Sequence, residues 1–346
     1  MPDAVSRDPA GPGDMFCPEL RVFMIISVSF ASALICAALM GYAIQSGATC
    51  TVYSVSELIE KRRASRLIAM LEAGLWVAVV VTLAGAAQLA VDAPRAYAPT
   101  LWTVAGGLLL GLGAFVNGAC VFGSVARIGS GEIGFIATPL GYFLGVLVFD
   151  QMRAAPQVHS AGTGWQLPIL LALAIGAYAL IRASLVLIWT IRRTRPDHAR
   201  LLWDPHEATL VIGVTFAIMM LSVGRWTYPE LLSDLAHGKD HGTLWRIILF
   251  LALLAGARLA GYRQGKTAWI TPTRQRIAAC LCGGAMMGMG GTLIPGGNDG
   301  LVLVGLPFLM PYALLALAVM VGVIALAIVT QTTWMARRAA PQPAAD

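Results

Sequence analysis

The sequence predicts an all-α integral membrane protein of about nine transmembrane helices, arranged as an inverted repeat with short re-entrant helices. Three observations predict it. Apolar residues lie in runs long enough to cross a bilayer, which takes about 20 residues per helix. Charge is scarce: 58% of the 346 residues are hydrophobic and 12% are charged, about half the charged share of a soluble domain, and the mean hydropathy is +0.73. The basic residues gather in clusters between the runs and form no continuous stripe, which excludes a nucleic-acid surface despite the net charge of +6.

Nine runs can be marked, roughly over 22–45, 67–91, 101–117, 131–150, 167–191, 208–224, 243–261, 276–294 and 307–335. The first reads as a span and not as a cleaved leader, because it is too long and lacks a clear cleavage site. Basic clusters follow at 61–66, 192–200, 263–276 and 337–338. With the N-terminus outside and the C-terminus in the cytoplasm, nine spans put all four clusters on the cytoplasmic side of a bacterial inner membrane. The loops around 92–99, 151–166 and 225–242 are poorer in positive charge and fall outside.

The runs divide into an extramembrane N-terminal tail (1–21), a four-span unit (22–150), a linking span with its loops (151–207), a second four-span unit (208–335) and a cytoplasmic tail (336–346). One linking span makes the second unit start from the opposite face, the logic of inverted-repeat transporters. Ser56-Glu57-Leu58-Ile59 resembles Pro229-Glu230-Leu231-Leu232, and the glycine pattern of 106–113 resembles that of 283–290. Chance likeness between glycine-rich membrane helices is the alternative.

Three stretches interrupt the runs. Gly111–Gly123 and Gly288–Gly300 both open on Gly-x-Gly and close on Gly, and carry Asn-Gly or Pro-Gly-Gly-Asn-Asp-Gly breakers. Broken backbone at membrane depth is tolerated only where protein buries it or where it lines a wet cavity. The expectation is a pair of re-entrant turns at the bundle centre, each followed by a short helix whose free N–H groups favour an anion. An ordinary extramembrane loop remains open as a reading of the second stretch. The third stretch, Gly41–Tyr53, ends its turn at Cys50 as the first ends at Cys120. A thiol can donate a weak hydrogen bond to a soft anionic sulfur. Cys36, Cys280 and Cys282 read as small apolar filler, and Cys17 is unassigned. The cysteines show no metal-ligand spacing, so neither a metal nor a cofactor is expected.

The pattern Gly-x-Gly-x-x-x-x-Gly-small-Cys-x-x-Gly at Gly111–Gly123 resembles the signature of the YeeE/YedE family of sulfur-compound transporters. The turn at Cys50 resembles that family's N-terminal cysteine segment, and the stretch 288–300 resembles its C-terminal repeat. The resemblance implies a nine-span inverted-repeat fold and uptake of thiosulfate or a related small sulfur-containing anion along a line of cysteines. Its first two cysteines match Cys50 and Cys120. The third falls at Gly297, next to Asn298, so thiosulfate is a default and not a conclusion. Cys50, Cys120, Asn117, Gly118, Gly297 and Asn298 are therefore the candidate substrate path, with no catalytic residue. The expected partners are the lipid bilayer, the anion and a soluble sulfur-carrier protein on the cytoplasmic side.

Two other classes compete. One is a membrane sulfur-transfer enzyme with Cys120 as nucleophile, which would need a nearby base. The five histidines, at 159, 198, 206, 237 and 241, lie in loops or at span ends. The other is a sulfur-signal partner of a soluble regulator. No Walker motif is present. Among charges inside the runs, Glu72 and Arg246 fit snorkelling near a span end. Arg182 fits either a path residue or a snorkelling one, and Glu57 reads as solvated.

Overall fold

In the computed structural model, the residues described are 18–47, 49–89, 94, 97–151, 176–178, 180–182, 184, 185, 188, 203–239, 242–294 and 296–339. Among them the protein is helical, apart from one isolated bridge between Glu132 and Ile270. In chain order the helices are α1 (Pro18–Ser46), α2 (Thr51–Lys61), α3 (Ser65–Ala86), α4 (Leu101–Asn117), α5 (Val121–Gly129), α6 (Ala137–Gln151), α7 (Pro205–Val223), α8 (Tyr228–Ala236), α9 (Thr243–Arg263), α10 (Arg274–Leu293), α11 (Gly297–Gly300) and α12 (Pro311–Ala339). A 3₁₀ turn at Ile133–Ile136 precedes α6, and α11 runs into a π turn at Leu301–Gly305.

Seven candidate membrane spans lie among the described residues, with an eighth if α10 and α11 count as one bent span. This is a multi-pass membrane protein. Eight of the nine apolar runs correspond to helices; the ninth, 167–191, falls largely outside the described residues, as do the cluster 192–200 and most of both tails. The anticipated short helices are present as α2, α5 and α11. The α1–α2 and α4–α5 pairs each make one span that runs on through its break, Val28–Lys61 and Leu101–Gly129, whereas α10 and α11 meet at 50°. A fourth short helix, α8, occupies a stretch read as loop. Thr227 starts it by accepting from Glu230 N (3.4 Å), with proline in the first turn.

Long and short helices thus follow the same order twice: long, short, long, long, short, long. Packing repeats with them. α1 lies on α9 as α7 lies on α3, and α4 lies on α12 as α10 lies on α6. Among the short elements, α2 meets α12 as α8 meets α6, and α5 meets α9 as the π turn meets α3. The α4–α10 seam is symmetric residue by residue. A Cβ at Gly106 would stand 3.0 Å from Gly290 O, and one at Gly290 would stand 2.8 Å from Gly106 O. Gly113 and Gly283 oppose each other in the same way, at 2.7 and 2.6 Å. The pairs run in opposite directions, so the two helices are antiparallel with backbone against backbone, an approach that membrane helices reach only through small residues.

The charges inside the runs are buried in pairs, which corrects the snorkelling expectation. Glu72 accepts from Tyr178 Oη (3.0 Å) and lies 2.7 Å from His206 Nδ1 and 3.0 Å from Arg182, tying α3, α7 and two residues between α6 and α7 together. Arg246, 6% exposed, pairs with Asp234 at the end of α8. Glu57 is an ion-pair partner of Arg66 at 3.2 Å and is largely covered, not solvated. A charge that cannot reach water is tolerable at this depth only with its partner.

Candidate functional site

The site is built where α1 and α4 break. Gly118 ends α4 with φ of +75°, a left-handed conformation in which glycine meets no Cβ penalty. Two residues on, Cys120 takes extended backbone and caps α5, and Cys50 does the same for α2. The two caps are reciprocal. Thr51 N donates to Cys120 Sγ at 3.3 Å, and Cys120 N donates to Cys50 Sγ at 3.4 Å. Gly123 N adds a third donor to Cys120 Sγ at 3.5 Å. The first turns of two helices thus converge on two sulfur atoms that are hydrogen-bonding neighbours of each other. Both thiols are free and buried, Cys50 at 8% and Cys120 at 1% exposure. Gly123 makes this possible: a Cβ there would stand 2.9 Å from Cys50 Cβ and closer still to its sulfur.

Asn117 holds the turn. Its Nδ2 donates to Ala119 O (2.7 Å) and Ser124 Oγ (3.0 Å), and its Oδ1 accepts from Thr138 Oγ1 (2.8 Å). Arg276 donates to its carbonyl at 3.3 Å. The side chain is wholly buried and engaged by protein, which is what a positioning residue needs.

The second break carries oxygen where the first carries sulfur. Gly296 and Gly297 both have positive φ, +87° and +57°. Asn298 and Asp299 follow, at 1% and 0% exposure. Asn298 Oδ1 and both Asp299 carboxyl oxygens are buried without a hydrogen-bond partner among the described residues. A Cβ at Gly297 would stand 3.0 Å from Tyr142 Oη, so the tyrosine hydroxyl occupies the space a side chain at 297 would need. Tyr228 Oη donates to Val121 O at 2.8 Å and so clips α8 onto the start of α5. Cα atoms of α11 come within 8 Å of those of α5 and of α8, and Cys120, Tyr142 and Tyr228 are all in electrostatic contact with Asp299. The two glycine-rich stretches therefore meet.

Two cavities flank this junction. One, of about 390 Å³, is lined by Cys50, Gly118 and Gly123 and carries the basic side chains Arg127 and Lys266. Burial, and then Arg127, push the Lys266 ammonium below the usual lysine range, against a smaller opposing pull from Glu132. The other cavity, of about 260 Å³, is lined by Gly296 and Gly300 of the second break and by Arg225 and Glu230.

All six candidate residues lie at this junction. Sequence reasoning missed Asp299, Tyr142 and Tyr228. Asp299 had a signal, an acidic residue amid an apolar stretch; the tyrosines had none, since aromatics on apolar helices are commonplace. Among the described residues the histidines stand elsewhere, His206 with Glu72 and His237 with Asp150. No curated protein matches the chain. The family model described as sulphur transport matches residues 46–326, which take in both breaks and both cavities. The chain belongs to the YeeE/YedE sulphur-transport family.

Proposed function

We propose that the protein takes up thiosulfate, or a related small sulfur-containing oxyanion, across a bacterial inner membrane. The N-terminus lies outside and the C-terminus in the cytoplasm, related by two inverted units. The smaller cavity then opens to the periplasm, beside the charge-poor loops, and the Lys266 cavity opens to the cytoplasm, beside the basic clusters. Between them the anion passes Asn298 and the pair Cys120 and Cys50. Asn117 and Gly118 shape the turn that presents Cys120, and Gly297 leaves the opening that Tyr142 narrows.

The observation that carries this reading is the pair of buried thiols at two converging helix N-termini. Helix N-termini place partial positive charge where an anion stops. Soft S–H donors suit a terminal sulfur better than a hard oxyanion alone. Both thiols accept backbone N–H groups, and the S–H that is not shared between the two sulfurs is the one that points along the path. The inner cavity, with Arg127 and Lys266, supplies the attraction that draws the anion onward, and a soluble sulfur-carrier protein is its expected receiver there. Cys120 as a nucleophile is less favoured, because no described histidine stands beside it to serve as base. The test is uptake of labelled thiosulfate, sulfite, sulfate and selenite by vesicles holding the purified protein. Uptake of thiosulfate that is lost in Cys50→Ala and Cys120→Ala supports the reading. Equal uptake by both variants overturns the thiol path.

A further inference from the structure

Asp299 is an acidic residue that an anion path has no evident use for. It is wholly buried, and its two carboxyl oxygens have no hydrogen-bond partner among the described residues. It adjoins Gly300, which lines the outer cavity, and it is within electrostatic reach of Cys120. The titratable groups facing it are Cys120 at the cap of α5, Tyr142 of α6 and Tyr228 of α8; Glu230 and Arg225 share the neighbouring cavity. The last turns of α10, from Gly288 to Ile294, and the π turn Leu301–Gly305 bring no titratable residue. Among the described residues no cation therefore stands against the carboxyl; Arg225 lies one cavity wall away, beside Glu230.

A bare carboxylate here would be both desolvated and repelled by the passing anion. A carboxylic acid would instead offer an O–H, and an unpartnered buried O–H is a donor waiting for an acceptor. Resting on the transport reading above, we propose that Asp299 binds the substrate anion as a neutral carboxylic acid, through an O–H hydrogen bond, and so makes uptake depend on proton supply at the outer cavity. The step breaks no covalent bond; the proton stays on the carboxyl while the anion is bound and leaves only when the acid is exposed to an alkaline compartment.

The experiment uses the full chain in vesicles, with labelled thiosulfate outside and the external pH varied. Wild-type uptake should fall with alkaline pH, by up to about tenfold per unit once the acid begins to ionise, since the neutral fraction falls tenfold per unit there. Asp299→Asn keeps a donor of the same shape and cannot ionise, so its uptake should stay within about threefold of the acid-pH wild-type rate and lose the pH dependence. Asp299→Ala should lose uptake at every pH. Infrared spectroscopy of the purified protein gives a readout that needs no transport: a protonated-carboxyl band that thiosulfate shifts and that Asp299→Asn lacks. Wild-type pH dependence persisting in Asp299→Asn, uptake by Asp299→Ala at the wild-type rate, loss of uptake in folded Asp299→Asn, or no such band each overturns the proposal. If the wild type carries no sulfur oxyanion at any pH, the transport reading fails instead, and the infrared band still decides whether Asp299 holds a proton.

Discussion

The two helix breaks share a backbone plan and differ in the atoms they present. At the first, Cys50 and Cys120 are satisfied by backbone N–H groups that come from each other's segments. At the second, Asn298 and Asp299 are as deeply buried yet keep oxygens unpartnered. The first break is braced by its own hydrogen bonds; at the second, Tyr142 Oη stands where a side chain at Gly297 would go. Two breaks of like helix order thus present different atoms, sulfur at one and oxygen at the other. On the proposed reading, the thiols would set which anion is preferred and the oxygen side the conditions under which it passes.

The largest effect on this comparison should come from the seam that both breaks share. Gly283→Val drives a branched side chain into Asn117 N and Gly113 O, each 2.6 Å from a Cβ there. Overpacking of this kind costs about 1–3 kcal/mol or more, with no flexible neighbour to yield. The variant should show a thermal-unfolding midpoint in detergent several degrees lower, by about 2–4 °C per kcal/mol, or should not accumulate in the membrane. A midpoint equal to wild type would mean that the helices are not seated backbone on backbone.

Next in size is Glu72→Gln, which leaves Arg182 and His206 facing a neutral partner in a buried cluster. Breaking one side of such a pair costs about 3–5 kcal/mol when fully buried, and less here because Arg182 and His206 are each about a quarter exposed on the side chain. Stability should fall while the substrate preference stays as it was. A changed preference among thiosulfate, sulfite and sulfate would move this cluster into the path.

Cys120→Ala should reduce thiosulfate uptake by roughly tenfold to a hundredfold, the worth of about 1.5–3 kcal/mol for a hydrogen bond to a charged partner. Cys120→Ser, a hard donor in the same shape, should fall between. Cys36→Ala, a change in buried helix packing away from both breaks, should leave uptake nearly unchanged. The sharper probe of the asymmetry is Gly297→Cys, which restores a third thiol. It should lower uptake, because its Cβ meets Tyr142 Oη and its φ of +57° is costly for a side chain, by about 1–2 kcal/mol. Gly297→Cys with Tyr142→Phe should recover part of the loss. No difference between the single and double variants would show that Tyr142 is not what closes the third position.

Much of this was legible in the sequence, for identifiable reasons. Span positions followed from hydropathy, because a bilayer demands long uninterrupted apolar runs. Cys50 and Cys120 stood out because a turn before a cysteine in an apolar run is a local pattern. The reciprocal capping was not legible, since it joins residues 70 apart through backbone groups every residue owns. Nor was α8: its cap, proline and acidic first turn were there to read in Thr227-Tyr228-Pro229-Glu230, but the segment is too polar and short to register as a span. Glu72 and Arg246 lie near the ends of apolar runs, where snorkelling and pairing look the same in one dimension. Only the fold says which partner is within reach.

The glycine seam has one more consequence, for motion. Where Gly106 faces Gly290 and Gly113 faces Gly283, main chain lies against main chain, with the Ile294 and Met287 side chains packed at its edges. Such a contact leaves little room for α4 to slide on α10. A rocking of one helix against the other would have to pry that seam apart. The positive torsions of Gly118, Gly296 and Gly297 lie at the breaks and outside this seam. The expectation is that any motion at the breaks leaves the α4–α10 distance unchanged, which spin labels on the two helices would report.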